Sequence, residues 1–279
     1  MFSNVIITYL KSITDMKKIS LIALLLVVAG IIAVQARTLV EPSKKTTSKS
    51  FNISNFDELK VAGVYDVEYE QTSGNTWSVE VSAPENIMPY VNVKRSGDCL
   101  VLSFEKGLST RGNYDLKAKI KAPVLKEINL SSASSFKAAK INLPGRKLEL
   151  DANGASDYEI KSVVASEVEI DLSGASTLKC ASVIAQSIEI DASGASDVDL
   201  RDIKANDVEV DASGASDVDL AGKAEEVEID ASGASTVKAA SLQAVSGKLV
   251  ASGASDIKSN VANVLLQRAT GASSIKNKK

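Results

Sequence analysis

The chain contains 279 residues, carries a formal net charge of −3 and has no histidine. Without histidine, Ser-His-Asp and Cys-His catalysis, histidine general bases and histidine-ligated metal sites are excluded. The slightly acidic charge balance also argues against general nucleic-acid binding.

The first predicted element is a targeting segment. The charged start Met16-Lys17-Lys18 precedes an apolar run over residues 21–34, which ends in the small-residue sequence Val34-Gln35-Ala36. This order is typical of a secretory signal peptide, so we predict a signal peptide over residues 1–36, cleaved after Ala36, with Met16 as an alternative start. The competing interpretation is an uncleaved membrane anchor, because the apolar run is near the lower limit for spanning a bilayer. We therefore expect an exported protein, in the periplasm or at the cell surface or outside the cell, that meets the membrane only if this segment is retained.

A linker and a cap are predicted next. Residues 37–50 form a linker rich in Thr, Ser and Lys. Residues 51–122 hold most of the aromatic residues that follow the targeting segment, and apolar and charged residues alternate in Asp66-Val67-Glu68-Tyr69-Glu70, as they do in half-buried strands. Because the first coil of a repeat array exposes open backbone groups and apolar surface, we interpret residues 51–122 as a β-rich N-terminal cap.

Residues 123–279 form a repeat array. The motif Ser-Gly-Ala-Ser, or a close variant, recurs in this segment, and its successive glycines are separated by 20, 20, 20, 19, 20 and 18 residues. A fixed period of this length is typical of stacked copies of one supersecondary unit. The glycines are Gly154, Gly174, Gly194, Gly214, Gly233, Gly253 and Gly271. A diverged copy at Ser132-Ala133-Ser134 precedes them and brings the predicted number of coils to about eight.

Each repeat predicts two short strands that meet at a corner. Apolar and acidic residues alternate in residues 208–212 and again in 217–220, whereas Ser213-Gly214-Ala215-Ser216 between them consists of turn residues. A shorter third side contributes two inward-facing columns. They are Val163, Val183, Ile203 and Leu242, and Ala165, Ala185, Ala205, Ala224 and Ala244. We therefore predict an all-β fold, a parallel β-solenoid of coils of ~20 residues stacked ~4.8 Å apart.

Two outward-facing acidic columns are the candidate site. They consist of Glu149, Glu169, Glu189, Glu209 and Glu228, and of Asp151, Asp171, Asp191, Asp211 and Asp230. In one interpretation divalent cations, calcium in particular, bridge successive carboxylates and stiffen the rod. In the other, the columns are a solvated face that keeps the rod soluble and deters the stacking of sheets. The second interpretation is favoured because no backbone-carbonyl loop completes a calcium site, but the sequence leaves both open.

Two further patterns lie at the corner and on the next side. The corner serines form two ladders, which we interpret as hydroxyls that satisfy turn backbone groups. The second pattern is a column of mixed sign, in which neighbouring coils can form cross-strand ion pairs. Its members are Glu159, Lys179, Asp199, Asp219, Lys238, Lys258 and Lys276.

Two segments resemble a known family. The opening sequence from Phe56 to Gln71, and the repeated Gly-Ala-Ser followed by Asp-Val or Thr-Val, are similar to the putative auto-transporter adhesin, head GIN domain family (DUF2807). The resemblance extends from about Phe51 to the end of the sequence. It implies a single-stranded right-handed β-helix-like fold, a location outside the cytoplasm, an adhesive role and no catalytic residues.

The expected function is a non-catalytic, adhesin-like module that mediates interactions at a cell envelope or surface. Its ligand, a glycan or a protein, is not identified by the sequence, and no cofactor is expected unless calcium binds the acidic columns. One alternative is a carbohydrate-active enzyme on a β-helix scaffold, but the regular coil length provides no insertion to wall a cleft. The other alternative is a structural spacer stiffened by cations.

Overall fold

The computed structural model describes residues 38–105, 108–112 and 114–278. The predicted signal peptide lies outside these residues. Within them the chain forms strands and one short 3-10 helix, Met88–Tyr90, which confirms the all-β class. No helical segment in the described ranges has the length and apolar character that a membrane span requires.

The N-terminal part consists of short strands with both parallel and antiparallel pairing. They are β1 (Thr38–Val40), β2 (Thr46–Phe51), β3 (Glu58–Gly63), β4 (Asp66–Gln71), β5 (Ser78–Pro84), β6 (Val91–Ser96), β7 (Cys99–Phe104), β8 (Leu108–Thr110) and β9 (Lys117–Ala122). Strands β1 and β8 pair in parallel and belong to a small separate unit. The segment expected to be a linker, residues 37–50, contains β1 and most of β2, and the backbone of β2 pairs with that of β5.

The array contains strands of 2 to 16 residues. They are β10 (Glu127–Ser132), β11 (Ser135–Ala138), β12 (Ile141–Ala152), β13 (Asp157–Ile160), β14 (Val163–Leu172), β15 (Thr177–Cys180), β16 (Val183–Ile184), β17 (Ser187–Ala192), β18 (Asp197–Ala212), β19 (Asp217–Ala231), β20 (Thr236–Ala251), β21 (Asp256–Ala269) and β22 (Ser274–Asn277).

Each coil has three sides, and every side stacks in parallel on the same side of the next coil. We call the strand before the Ser-Gly-Ala-Ser corner side 1, the strand after it side 2 and the return segment side 3. In β18, for example, Asp197 to Leu200 belong to side 2, Ile203 to Ala205 to side 3 and Asp207 to Ala212 to side 1. The stacking forms a β-solenoid of about eight coils in the array, as predicted.

The cap joins the array out of sequence order. Strand β3 pairs in parallel with β7 on one edge and with β10 on the other, and β4 likewise lies between β9 and β11. The coil made by β3 and β4 is therefore inserted between two segments that follow it in sequence. Strands β6, β5 and β2 then extend the two sheets in antiparallel pairing. The array and the cap consequently share continuous sheets.

The core is a stack of inward-facing columns. Side chains at the alternate positions of sides 1 and 2, such as Val208, Val210 and Val218, are buried. On side 2 the first two coils of the array contribute aromatic rings to one such column, Phe136 and Tyr158, whose centroids lie 5.8 Å apart. Aliphatic residues occupy the same position in the later coils. Burying such side chains contributes roughly 1.5–3 kcal/mol each relative to exposure.

Of the two predicted columns of side 3, the alanine column is in register from Ala205 to Ala244, whereas Ala185 lies after the end of β16 and is partly buried. The other column is in register with one local adjustment. Val163, Val183, Ile203 and Leu242 are buried, but Gly222 occupies this position between Ile203 and Leu242. A Cβ at Gly222 would lie 2.3 Å from the backbone nitrogen and oxygen of Ile203. The coil with the 19-residue spacing therefore runs closer to its neighbour, and glycine accommodates the missing residue.

Candidate functional surfaces

Glycine is required at the Ser-Gly-Ala-Ser corners for two independent reasons. At Gly194 the backbone has φ of +73°, and a Cβ there would lie 2.6 Å from the carbonyl oxygen of Gly174. The following amide, Ala195 N–H, donates to that same carbonyl at 2.7 Å. The left-handed conformation and the close approach both favour glycine, so the repeated Gly-Ala pairs form an exposed ridge of small side chains.

The corner serines serve the backbone, which confirms the interpretation of these hydroxyls. The second serine is buried in every corner before the last one, in which Ser273 is partly exposed. The Ser216 hydroxyl, for example, donates to the carbonyls of Ser213 at 2.8 Å and Ala192 at 3.2 Å. The first serine is less engaged, since the Ser193 hydroxyl reaches the Leu172 carbonyl at 3.3 Å. The inner hydroxyl ladder is therefore part of the fold and is not available to a ligand.

The two acidic columns form as predicted on the outer surface of side 1. The glutamates lie opposite one another from Glu149 to Glu228, and the aspartates from Asp151 to Asp230, in successive coils. The structure adds a third acidic column on the same side, two positions before the glutamates. Its members are Glu167, Asp207 and Glu226, with Ser187 between the first two coils. The period-two pattern of the strand, followed two residues further back, would have identified it.

Crowding on this face makes several carboxylates harder to ionise. Partial burial raises the pKa of Asp151 to about 6, and the neighbouring carboxylates of Asp171 and Glu127 add to the effect. The pKa values of Asp191, Asp211 and Glu189 are raised by the same causes, burial first and neighbouring carboxylates second. Like charges at the spacing of adjacent strands repel by about 0.9 kcal/mol in water, so the middle of side 1 carries uncompensated repulsion.

Lysines relieve that repulsion at both ends of the columns. The Lys147 ammonium lies 2.9 Å from Glu149 and also contacts Glu169, which raises the pKa of Lys147. At the other end Lys248 lies 2.8 Å from Glu228. Both ion pairs are exposed to solvent, so water and salt screen them and each adds little to the stability of the fold. The acidic face thus has compensated ends and a strongly negative centre.

The acidic face does not gather ligands as a metal site does. In the ranges that the structure describes, no group of three or more Asp, Glu or Cys side chains is arranged to hold a metal ion. Successive carboxylates face outward in rows, whereas calcium takes six to eight oxygen ligands that surround it. Cation bridging and a solvated face both stay open as interpretations of the ten residues of the predicted columns.

Side 2 carries the predicted column of mixed sign, and it extends further than predicted. The sequence of charges continues from Glu159 through Lys137 and Glu68 to Lys119 in the cap. The Lys137 ammonium lies 2.7 Å from Glu159. A groove of about 760 Å³ runs along this side between the charged side chains, among them Lys161 and Arg201. Its charges are of both signs, so the groove presents no concentration of carboxylates.

A second column on side 2 combines acids and hydroxyls. It lies directly after the corner, and sequence reasoning did not identify it. Its members are Asp66, Ser135, Asp157, Thr177, Asp197, Asp217, Thr236, Asp256 and Ser274. The Ser135 hydroxyl donates to Asp66 at 2.7 Å. A hydroxyl between two carboxylates separates like charges and donates to one of them, which stabilises the stack.

The two thiols have environments that reduce their reactivity. Burial raises the pKa of Cys180 to about 11, and burial together with Glu58 and Glu127 raises that of Cys99. A reactive cysteine requires a lowered pKa, because the thiolate is the nucleophile. Neither thiol is therefore activated as a nucleophile.

Comparison with known sequences identifies one family. The family model described as "Putative auto-transporter adhesin, head GIN domain" matches residues 55–219 and again residues 168–279. Together these matches include the cap from β3 onward and the whole array. A comparison with curated proteins finds no match.

Several solved structures share the fold. A putative adhesin from Parabacteroides distasonis superposes with a TM-score of 0.75 at 21% identity, covering 86% of this chain and 100% of that one. A putative adhesin from Parabacteroides merdae gives 0.63 at 19% identity, covering 86% and 99%. A putative lipid binding protein from Parabacteroides distasonis gives 0.66 at 17% identity, covering 87% and 100%. Because the identities lie between 17% and 21%, these matches show a shared fold alone.

Proposed function

Because the chain belongs to the putative auto-transporter adhesin, head GIN domain family, we propose that it is an exported, non-catalytic, adhesin-like module that binds a ligand on a cell surface or in the cell envelope. The observation that supports this function most directly is the repetition of the same outward side chains in successive coils. Repeated, equally spaced groups can contact a repetitive ligand at many points, and the summed contacts give avidity that a single weak contact lacks.

The described surface chemistry favours binding over catalysis. The groove on side 2 has charges of both signs, and the acidic face has carboxylates in parallel rows. A glycosidase needs two carboxyl groups across a cleft, separated by about 5–9.5 Å and facing a sugar between them. Polysaccharide substrates incubated with the purified protein should release no new reducing ends; release that exceeds the no-protein control would favour the carbohydrate-active alternative.

Adhesion is tested by binding of the purified protein to whole cells and to glycan and protein arrays. We expect saturable binding in at least one format. A triple variant Glu189→Gln, Glu209→Gln, Asp211→Asn tests the acidic face, and Lys137→Gln, Lys179→Gln, Arg201→Gln tests side 2. Loss in one variant alone would assign the ligand to that side. Absence of binding in every format would contradict the adhesive function.

Export is proposed from the targeting segment. Expression of the full chain with its natural start should place the protein outside the cytoplasm, and its intact mass should correspond to a chain that begins at Arg37. A protein that keeps residues 21–34 and sediments with membranes would favour the uncleaved anchor. A soluble cytoplasmic protein of full mass would contradict export.

A further inference from the structure

The last coil of the array has an open strand edge on side 1. Strand β21 pairs with β20 over both sides, but β22 covers only Asp256 to Ser259 of β21. Within the described part of the chain, residues 263–269 therefore have no strand on their outer edge. Their backbone N–H and C=O groups on that edge are available to another strand.

The chain closes the neighbouring part of the same edge with a side chain. The Asn277 amide accepts a hydrogen bond from Val261 N–H at 2.8 Å and donates one to the Val261 carbonyl at 2.8 Å. The Ser259 hydroxyl also donates to Asn277 at 3.0 Å. This amide reproduces the pairing that a further strand would supply. Residues 263–269 have no comparable cover among the described residues.

The open segment has one charged residue, Arg268, and two exposed leucines beside it. Leu266 continues the column of Glu228 and Lys248, and Leu265 lies in the adjacent bulge. The two leucines are 47% and 56% exposed. An exposed edge strand with apolar side chains is a template for the addition of another strand.

The charge around this edge is basic. Residues 232–278 contain six basic residues and one acidic residue, whereas residues 149–231 contain five basic and 21 acidic residues. Arg268 continues the position of the aspartate column. The opposite edge of the side-1 sheet is β6, which exposes Lys94 and Arg95. Stacking two copies end to end would place basic edges together, so charge favours an acidic occupant.

We propose that side 1 of the last coil accepts an extended acidic peptide segment of a partner protein as an added strand. The segment alternates apolar and acidic residues, as residues 208–212 of this chain do. Its apolar side chains cover the end of the core next to Val264, and its acidic side chains meet Arg268. The backbone bonds supply affinity, and the alternation supplies specificity. This inference does not depend on the adhesive function.

The probe is a fluorescent peptide with the sequence of residues 206–213, Asn-Asp-Val-Glu-Val-Asp-Ala-Ser, titrated with the purified protein and followed by anisotropy. We expect saturable binding that weakens with salt. A peptide with lysine in place of its three acidic residues should bind with a dissociation constant at least about tenfold higher. The variants Leu266→Asp and Arg268→Glu should each raise the dissociation constant of the original peptide about tenfold. The matched control is Ile184→Asp, since Ile184 is 41% exposed on side 3, and it should leave binding unchanged.

Three results would overturn the proposal. The first is no binding, or equal binding of a scrambled peptide of the same composition. The second is equal loss in Leu266→Asp and Ile184→Asp when both variants keep the circular dichroism spectrum of the parent protein. The third is a stable dimer in sedimentation that Leu266→Asp dissociates, because a second copy would then occupy the edge. Each result can be obtained whether or not the protein binds cells.

Discussion

At the scale of single residues, the corner glycines limit the fold most severely. Each has a positive φ, and a Cβ at most of them would lie within 2.5–2.7 Å of a carbonyl oxygen in the preceding coil. Gly145 has the positive φ without the close contact, because its φ is +72° but nothing lies within 4 Å of the position that a Cβ would take there. Conformational strain and steric overlap can therefore be measured apart.

Gly194→Ala should destabilise the protein far more than Gly145→Ala. The left-handed conformation alone costs an alanine about 1–2 kcal/mol, which is the loss expected at position 145. At position 194 the overlap with Gly174 forces adjacent coils apart, and we expect a loss of at least about 3 kcal/mol. Urea unfolding of both variants measures the difference. Equal losses would show that the close approach contributes nothing.

Asp151 predicts how stability depends on pH. Its pKa rises from 3.8 to about 6 in the folded protein. A raised folded-state pKa means that the folded state binds the proton more tightly, so stability is fully present below the ordinary value and is lost as the pH rises through about 6. Asp191, Asp211 and Glu189 have shifts of the same sign. The urea midpoint should therefore be higher near pH 4.5 than near pH 7.5.

Asp151→Asn removes one part of this dependence. The gain in stability of the variant over the parent should be largest at pH 7.5 and clearly smaller at pH 4.5, where only part of the loss from Asp151 has occurred. Glu159→Gln is the control of opposite sign, because the Lys137 ammonium lowers the pKa of Glu159; it should widen the difference between the two pH values, since a carboxylate with a lowered pKa stabilises the folded protein at the higher pH. A parent protein whose midpoint rises from pH 4.5 to 7.5 would contradict the argument.

At the scale of elements, the array was predictable and the cap was not. The glycine spacing defines the coils, and within each coil the alternation of apolar and charged residues predicts which side chains face the core, as for Val208, and which face solvent, as for Glu209. The cap has no period. Nothing in the alternation of residues 58–71 indicates that β3 and β4 lie between later strands, since the choice of neighbour depends on nonlocal packing. The two acidic columns and the column of mixed sign were predicted. The third acidic column and the acid–hydroxyl column were missed because several residue types share each of these positions.

The second serine of a corner, in the inner ladder, should contribute more to stability than the first serine, in the outer ladder. Ser216→Ala leaves two carbonyls without their hydroxyl partner in a buried site, and we expect a loss of about 1–2 kcal/mol. Ser213→Ala changes the less buried first serine of the same corner and should cost less than about 0.5 kcal/mol. Unfolding midpoints of the two variants check the difference. A larger loss in Ser213→Ala would contradict the assignment of the inner ladder.

The acidic columns give a separate prediction about cations. Their carboxylates lie in rows that do not surround an ion, and the Lys147 and Lys248 ammonium groups already occupy the ends. Thermal transitions measured in EDTA and in millimolar calcium should therefore coincide. Magnesium and a matched sodium chloride concentration control for general screening. A rise in the transition that calcium alone produces would establish cation bridging and support the spacer alternative.

At the scale of the whole molecule, the array behaves as a stack in which each coil contacts only its neighbours. The inward columns keep their register across coils, with Leu178 opposite Val198 and Val198 opposite Val218. Stability of such a stack is close to a sum of coil and interface contributions. The cap differs, because β3 and β4 are paired on both edges by segments distant in sequence. The array should consequently tolerate changes in length that the cap does not.

Deletion of residues 196–215 tests this modularity. The deletion joins Ala195 to Ser216, restores a complete Ser-Gly-Ala-Ser corner and brings Leu178 opposite Val218 in the inward column. One coil and one interface are lost, so we expect a folded protein whose Tm falls by no more than about 5 °C. Deletion of residues 206–215 is the control, because it removes side 1 of one coil together with Ser213, Gly214 and Ala215 of its corner, and so joins side 3 to side 2 through Ser216 alone. That variant should lose the cooperative transition in thermal circular dichroism. If the 20-residue deletion also unfolded the protein, the coils would not be interchangeable, and the cap and the full array would have to fold as a single unit.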